Sequence, residues 1–238
     1  MSEAERDITV DVVIPVYNEE RVLEQSITIL REFLQQGSPY RWRIVIADNA
    51  SVDRTLRVAR KLSSRYPEVT YIHLDEKGRG RALRRAWLES EADVVSYMDV
   101  DLSTDLDAFP PLIDGLIKGR HDIAIGSRVK KGAQVQRQLK RGIISRCYNL
   151  LIKLMFWNKF SDAQCGFKAL TRKAVKELVP IVKDQGWFFD SELLLRAEQK
   201  GYQIHEVPVK WIDDLDSRVN VLQTAWGDLK GLIRVRFS

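Results

Sequence analysis

The chain has 238 residues, of which 45% are hydrophobic and 30% charged, so it is long enough to bury a full core and too short for two domains of ordinary size. It has no long apolar run, which excludes a simple membrane-spanning helix. Its two cysteines and polar, acidic N-terminus favour a reducing cytosolic setting over secretion.

The net charge of +5 is unevenly distributed. Nine basic residues and no Asp or Glu lie between positions 128 and 161, so the rest of the chain is net acidic. A nucleic-acid-binding protein would spread its positive charge over a docking face, whereas this block adjoins an apolar helical pattern. We therefore expect no nucleic-acid partner.

Short apolar runs alternate with helical patterns in the first half of the chain. The predicted strands cover 10–16, 43–47, 70–74, 94–98 and 122–126, and the predicted helices cover 20–36, 53–65, 80–89 and 105–119. This alternation predicts an α/β fold with a mostly parallel, Rossmann-like sheet flanked by helices. Because ligands bind beyond the carboxyl ends of such strands, the connections that follow them are the candidate site.

The second half is less regular. It predicts a basic amphipathic helix over 139–157, a loop over 161–167, a helix from Lys173, a segment over 187–200, a strand over 203–209 and an acidic turn before a last helix. No linker marks a domain boundary. We therefore predict a single domain over 1–238.

Two aspartates follow the fourth predicted strand. Residues two apart in a strand share a face, so Asp99 and Asp101 can point together beyond its carboxyl end. Convergent carboxylates there suggest a hard cation such as Mg²⁺ or Mn²⁺ that takes its other ligands from substrate phosphates. The same Asp-x-Asp spacing recurs at 105–107 and 214–216 without a preceding strand, where a solvated turn explains it.

Polar groups also follow the second and third strands. Asp48 stands where a carboxylate can accept a hydrogen bond from a nucleobase, whereas Ser51 and Asp53 are explained by capping of the next helix. The run from Gly78 to Arg81 fits either an anion site or a plain turn. The three histidines lie far apart, which favours structural or solvated roles.

Five segments at the ends of the predicted strands, taken in chain order, resemble the motifs of inverting GT-A glycosyltransferases. They are VIPVYNE at 13–19, ADNASVD at 47–53, KGRG at 77–80, DVD at 99–101 and GSR at 126–128. More narrowly they resemble the polyprenyl-phosphate glycosyltransferases, the dolichyl-phosphate mannose and glucose synthase group. The resemblance implies a GT-A fold with a nucleotide-sugar half at about 8–128 and an acceptor and membrane-interface half at about 129–238.

The resemblance also implies roles for individual residues. The nucleotide sugar would be bound by Pro15, Tyr17, Glu19, Asp48, Asn49, Arg79, Asp99, Val100, Asp101, Ser103, Arg128, Lys168, Ser217 and Arg218. Asp99 and Asp101 would hold the metal, and the catalytic set would be these two with Asp162 and Arg128. Asn49 and Ser103 depart from the residues that many relatives carry, which leaves the sugar and the base open.

The helix predicted over 139–157 bears on the acceptor. Its apolar residues fill about half the circumference, more than one core contact needs, and basic residues flank them. This pattern fits a helix in a membrane interface or, alternatively, a buried helix of the domain. Arg141 and Ser145 lie one turn apart on the opposite face, and by resemblance they would bind the lipid phosphate.

The function implied is transfer of a hexose from a UDP- or GDP-linked sugar to polyprenyl or dolichyl phosphate, at the cytoplasmic side of a membrane. A phosphate monoester has a second pKa near 6 and needs no general base at neutral pH. The alternative within the fold is transfer to a sugar hydroxyl, for which Asp162, Asp190 or Glu192 could be the base. The non-enzymatic alternative is a basic membrane- or nucleic-acid-binding module. Relatives often also have transmembrane helices or a membrane subunit.

Overall fold

The computed structural model describes residues 7–136, 139–212 and 221–237, with side chains at 139–141, 143 and 221–223 not among those described. The strands are β1 (Thr9–Val16), β2 (Arg41–Asn49), β3 (Val69–Leu74), β4 (Val94–Met98), β5 (Ile123–Ser127), β6 (Gln134–Gln136), β7 (Phe167–Thr171), β8 (Ile204–Pro208) and β9 (Lys210–Ile212). The α-helices are α1 (Leu23–Gly37), α2 (Thr55–Arg65), α3 (Arg79–Glu89), α4 (Phe109–Ile117), α5 (Leu139–Phe156), α6 (Arg172–Leu178), α7 (Phe189–Gln199) and α8 (Val221–Arg236). Two short 3-10 turns precede α4 and follow α6.

Seven strands form one sheet in the order β3-β2-β1-β4-β7-β5-β8. β1 pairs in parallel with both β2 and β4, and β5 pairs in parallel with β8. The strands β1, β2, β4 and β5 are mostly apolar and are largely buried, since helices cover both faces of the sheet. The predicted α/β class and its mostly parallel sheet are confirmed.

One strand of the sheet was not predicted. β7 runs antiparallel between β4 and β5, with Met98 opposite Phe167 and Ile125 opposite Lys168. Its five residues carry a buried lysine among apolar neighbours, so no alternation of polar and apolar positions marks it in the sequence. The antiparallel register brings the loop before β7 against the carboxyl end of β4, where Asp99 and Asp101 begin.

A second, two-stranded sheet braces the segment after β4. β6 pairs in parallel with β9. The Asp105 amide donates to the carbonyl of Lys210, and the Ile212 amide donates to the carbonyl of Ser103. These bonds attach the C-terminal half of the chain to the connection that carries the paired aspartates.

Helix α5 contacts the domain through a face that only partly coincides with the apolar side of its helical wheel. Ile152, which falls on the basic side of that wheel, is fully buried, and Ser145, two turns earlier on the same side, is buried too. Tyr148, Leu151 and Met155, on the apolar side, are partly buried against the core. Leu150 and Leu154, on the predicted apolar face, are 58% and 67% exposed. The helix is therefore not a wholly buried one. Among the described residues, no helix combines the length and hydropathy needed to cross a membrane.

Candidate active site

The two aspartates after β4 lie at an accessible edge of the sheet. Asp99 is partly exposed and Asp101 is exposed, and one Asp101 oxygen accepts a hydrogen bond from the Ser103 amide at 2.9 Å. Gly166 packs directly on the Asp99 carboxylate, where a Cβ at position 166 would collide with it. Val100 between the two aspartates is buried. The backbone of the pair is therefore anchored while both carboxylates remain accessible to solvent.

A buried arginine, Arg79, links Asp99 to Asp190. The Arg79 side chain, almost completely buried, donates from Nη2 to Asp99 at 2.6 Å and from Nη1 to Asp190 at 2.5 Å. Its guanidinium lies between the rings of Tyr97 and Trp187. Burial alone would lower the pKa of Arg79, but the negative charge of Asp99 and its other neighbours holds that pKa well above its ordinary value. Arg79 is therefore a fixed cation beside Asp99.

The start of α3 is not an open anion site. The amides of Gly80 and Arg81 donate to the carbonyls of Gly186 and Gln185, and the Gly78 amide donates to the Asn49 side chain at 2.6 Å. These bonds use amides that an anion at the helix N-terminus would need. The glycine-rich run is thus a turn that docks against the loop before α7, and Asn49 fixes that turn.

Asp48 lies fully buried at the end of β2. Its Oδ2 is 2.6 Å from His73 Nδ1, whereas its Oδ1 is buried and has no hydrogen-bond partner among the described residues. A buried carboxylate oxygen without a donor is costly, and a ligand that supplies an N–H removes that cost. His73, which no sequence pattern singled out, holds Asp48 in this orientation.

The loops after β1 and β2 are joined to each other. The Asn18 amide donates to Ser51, the Val52 amide donates to Asn18, and the Glu19 amide donates to Thr55. Asn18 and Ala50 both have positive φ, at 57° and 60°, a conformation unfavourable for residues with a Cβ. Ser51 is therefore used to link the loops rather than to cap α2.

These linked loops lie next to the buried Asp48 side chain. Pro15 and Tyr17 are half-buried at the end of β1, where Val16 pairs with Asp48. The Lys77 ammonium lies 3.7 Å from the centre of the Tyr17 ring. The connections after β1, β2 and β3 thus meet next to the free Asp48 oxygen.

Arg128 and Asp162 form a buried ion pair. Two guanidinium nitrogens of Arg128 donate to the two Asp162 oxygens at 2.8 and 2.9 Å, and the Arg128 amide donates as well. Burial by itself would raise the pKa of Asp162, but the charge and hydrogen bonds of Arg128 outweigh it and hold that pKa below its usual range. Asp162 is therefore ionised and fully engaged, which makes it a poor proton acceptor.

Lys168 and Asp190 form a second buried pair. Lys168 Nζ is fully buried, 3.2 Å from Asp190, and donates to the carbonyls of Cys165 and Ala163. Tyr97 donates to the same Asp190 carboxylate at 2.5 Å. Burial works against ionisation of Asp190, but Lys168 and Arg79 outweigh it and lower its pKa. Lys168 lies beneath the loop before β7 and binds its carbonyls; its predicted contact with the nucleotide sugar stays a prediction.

The acceptor residues are only partly described. Ser145 is buried on α5 against the domain. The side chain of Arg141 lies outside the described residues, as do Ser217 and Arg218. The predicted pairing of Arg141 with Ser145, and the predicted closing of residues 217 and 218 on the donor, therefore stay predictions.

The carboxylate oxygens of Asp99 and Asp101 fit a hard divalent cation. Within 7–136, 139–212 and 221–237, no three His, Cys, Asp or Glu residues cluster as metal ligands. Asp99 and Asp101 would thus supply one or two carboxylates, which is the protein share expected for a cation that also binds substrate phosphates. The close approach of Gly166 also fixes one side of the Asp99 carboxylate.

Comparison with known sequences identifies the family. Residues 11–179 match the model of "Glycosyl transferase family 2". The chain belongs to this family. The match covers the four strand-end connections described above and the loop before β7, and the elements from α7 to α8 lie beyond it.

This family 2 chain resembles several curated proteins. It is 35% identical over 222 residues to glycosyltransferase AglD of Haloferax volcanii, covering 92% of this chain and 36% of AglD. It is 36% identical over 204 residues to a dolichol-phosphate mannosyltransferase of Pyrococcus furiosus, covering 84% and 55%. It is 30% identical over 220 residues to a dolichyl-phosphate beta-glucosyltransferase of Drosophila melanogaster, covering 87% and 68%. The chain spans about a third of AglD and between half and about two thirds of the other two.

A solved structure shows the same fold. Glucosyl-3-phosphoglycerate synthase from Mycobacterium tuberculosis, in complex with UDP, superposes with a TM-score of 0.74 at 18% identity, covering 96% of this chain and 80% of that protein. The likeness confirms the GT-A fold implied by the motifs.

Proposed function

We propose that this chain transfers a hexose from a nucleotide sugar to polyprenyl or dolichyl phosphate, with inversion, at the cytoplasmic face of a membrane. The proposal agrees with the dolichyl-phosphate acceptors named for two of the relatives above. It covers one catalytic domain with a donor half at about 8–128 and an acceptor half at about 129–238.

The observation that carries the choice of acceptor is the state of the three candidate bases. Asp162 is paired with Arg128, and Asp190 with Arg79 and Lys168. Glu192 is fully buried; its Oε2 accepts hydrogen bonds from Arg234 and the Asp184 amide, and its Oε1 has no hydrogen-bond partner among the described residues but lies 3.9 Å from Arg196. A sugar hydroxyl needs a carboxylate that can take its proton, whereas a phosphate monoester is largely dianionic at neutral pH. The pairing of all three carboxylates with arginine or lysine favours the phosphate.

The donor half would bind the nucleotide sugar at the strand ends. The free Asp48 oxygen would accept an N–H from the base, and both uracil and guanine present one. Pro15, Tyr17 and Glu19 would line the nucleoside pocket. Asp99 and Asp101 would hold Mg²⁺ or Mn²⁺ against the diphosphate, where such a cation stabilises the charge of the departing nucleoside diphosphate.

Several site residues act by support in this proposal. Arg128 and Asp162 hold the loop before β7 through their ion pair, and Lys168 holds its carbonyls. Asn49 orients the turn after β3, and Arg79 orients Asp99. Ser103, joined to β9 and to Asp101, fixes the segment that carries the metal carboxylates.

The acceptor half presents an apolar surface. On α5, Ile144, Leu150 and Leu154 are exposed, and on α8 Trp226 and Ile233 are exposed, with Phe237 exposed directly after the helix. The two helices contact each other. Exposed apolar side chains beside a basic segment are typical of helices that lie in a membrane interface and meet anionic lipid headgroups. A lipid acceptor in the bilayer would reach the site from this side.

A transfer assay tests the proposal. The purified chain is incubated with Mn²⁺ or Mg²⁺, radiolabelled UDP-hexoses or a GDP-hexose, and either polyprenyl phosphate in vesicles or a panel of simple sugars. We expect label in the lipid fraction with one donor, released by mild acid as a free hexose. Label in the sugar fraction alone would favour the sugar-hydroxyl alternative. Binding of vesicles with no binding of any nucleoside diphosphate would favour the non-enzymatic alternative.

A further inference from the structure

A buried carboxylate on the last helix is not used by the reaction proposed above. Asp228 lies in the second turn of α8 and is 4% exposed. Its Oδ2 accepts a hydrogen bond from Gln164 Nε2 at 3.0 Å. The residue is about fifty positions beyond the end of the family match at 179.

Gln164 belongs to a short loop, residues 162–166, that several elements hold in place. The Ala163 amide donates to Asn149 of α5 at 3.0 Å, and Lys168 donates to the carbonyls of Ala163 and Cys165. Asp162 binds Arg128. At its end Gly166 packs on the Asp99 carboxylate so closely that no side chain fits between them. The position of this loop therefore sets the position of Asp99.

We infer that Asp228 is a positioning residue for hexosyl transfer: from α8 it holds the Gln164 side chain, and through the loop it holds Asp99 in place. The inference rests on the proposed function. A hydrogen bond to an ionised acceptor is about twice as strong as one between neutral groups, so the loop is held best when Asp228 is charged.

The surroundings of Asp228 make its charge sensitive to pH. Asp184, from the loop before α7, and Asp190, on α7, are the acidic groups that face it, and Tyr148 of α5 lies nearby. Arg234 on α8 is bonded to Glu192 and lies 3.8 Å from Asp184. Burial, with the negative charges of Asp184 and Asp190, raises the pKa of Asp228 to about 7. The carboxyl therefore gains its proton as the pH falls through neutrality, and the loop loses its strongest anchor to α8.

The test compares three variants over about pH 5.5 to 8.5. Asp228→Asn keeps an oxygen that accepts from Gln164 but cannot ionise, Asp228→Leu removes the bond, and Asp107→Asn is a control at an exposed aspartate. The acceptor phosphate, with its own pKa near 6, affects all of them equally. We expect wild type and the control to lose up to about threefold in kcat with a midpoint near pH 7. Asp228→Asn, which is neutral at every pH, should have that lower kcat already at pH 8 and should show only the limb of the acceptor phosphate near pH 6. Asp228→Leu should lose at least about tenfold in kcat with little change in the donor KM.

Gln164→Leu removes the same hydrogen bond from the other side. If Asp228→Leu does not fold, this variant is expected to show the same loss in kcat. Its combination with Asp228→Asn should be no worse than Gln164→Leu alone, because partners in one interaction are not additive. A limb with its midpoint near pH 7 that persists in Asp228→Asn, or activity of Gln164→Leu within twofold of wild type, would overturn the inference.

A readout without turnover separates this inference from the proposed function. The side-chain amide signal of Gln164, followed by NMR, should shift with a midpoint near pH 7 in wild type and stay constant in Asp228→Asn. A constant signal in wild type refutes the link between the two residues whatever the enzyme does. A shifting signal in a protein that transfers no hexose to any lipid phosphate would instead refute the proposed function.

Discussion

The acidic residues of the candidate site differ in what surrounds them, and this difference underlies the roles proposed for them. Asp48 is buried with one oxygen free, so it is suited to accept a hydrogen bond from a ligand. Asp101 is exposed and Asp99 partly so, which suits cation binding. Asp162 and Asp190 are ionised and form ion pairs with buried cations. In the proposed site the same side-chain type would thus serve recognition, metal binding and structural support.

Asp101→Ala should abolish hexose transfer while the melting temperature stays within a few degrees of wild type. The change removes an exposed carboxylate that the proposal assigns to the metal, and it removes no core contact. Activity and the gain in nucleoside diphosphate affinity on adding Mn²⁺ are the measurements. Asp107→Ala, at the neighbouring Asp-x-Asp, should leave both unchanged. Turnover near wild type with added Mg²⁺ or Mn²⁺ would contradict the metal assignment.

Asp48→Asn should weaken nucleoside diphosphate binding about tenfold, because a hydrogen bond to a charged acceptor contributes about 1.5–3 kcal/mol and each 1.4 kcal/mol is a factor of ten. Binding of inorganic pyrophosphate, which has no base, should be unchanged. Calorimetry with both ligands is the measurement. An equal loss for pyrophosphate would show that Asp48 does not contact the base.

At the scale of elements, α5 shows how a helix pattern can be correct while its orientation is not evident. The sequence predicts a half-apolar helix, but a helical wheel does not say which side meets the domain. The buried positions are those that fit between neighbouring elements: Ile152 in the core, Tyr148 bonded to Ser191 of α7, and Asn149 bonded to Ala163. Ile144, Leu150 and Leu154 are consequently left exposed.

Replacing Leu150 and Leu154 with Ser should reduce flotation with anionic vesicles and reduce transfer to long-chain lipid phosphate, yet spare a short, water-soluble acceptor. The two side chains are exposed, so the fold should survive their loss. The binding that remains should weaken with salt, since the Debye length falls from about 10 Å at 0.1 M to about 3 Å at 1 M.

The matched control is the pair Ile29→Ser and Leu88→Ser, which removes two exposed aliphatic side chains from α1 and α3. Vesicle binding and transfer by the control should equal those of wild type. If the α5 variant loses activity on both acceptors and melts at a lower temperature, α5 is a core helix and the membrane surface is wrong.

For the whole molecule, buried carboxylates set the response to acid. The folded-state pKa values of Asp162 and Asp190 lie below their usual range. A lowered folded pKa contributes stability above the unfolded value near 3.8 and loses it as the pH falls through the folded value. Asp228 has the opposite sign: its raised pKa stabilises the fold below about pH 4, and that stability is lost as the pH rises to about 7.

The free energy of unfolding should therefore drop steeply below about pH 4. Asp162→Asn should lower it by about 3–5 kcal/mol at pH 7, because Arg128 then lacks its buried partner, and should flatten the acid limb. Asp228→Asn should raise the melting temperature at pH 8 and change it little at pH 4. Thermal unfolding over this pH range is the measurement. An acid limb unchanged in Asp162→Asn would show that the ion pair does not control it.

The sequence alone determined the features that depend on local pattern. Alternating apolar runs specified the first five strands and their helices, and the strand ends placed Asp48, Asp99 and Asp101 on one edge, since parallel strands have their carboxyl ends together. The ordered motifs indicated the family, which the match over 11–179 confirms.

Only the tertiary structure decided which side chains meet. β7 carries no periodic signal, yet its antiparallel insertion next to β4 is what brings Gly166 onto Asp99. The bonds of Asp48 with His73 and of Asp228 with Gln164 join residues 25 and 64 positions apart. A sequence pattern reports the face on which a residue lies and not the element that packs there. For this reason the roles of Asp162 and Lys168, which depend on buried partners, required the fold.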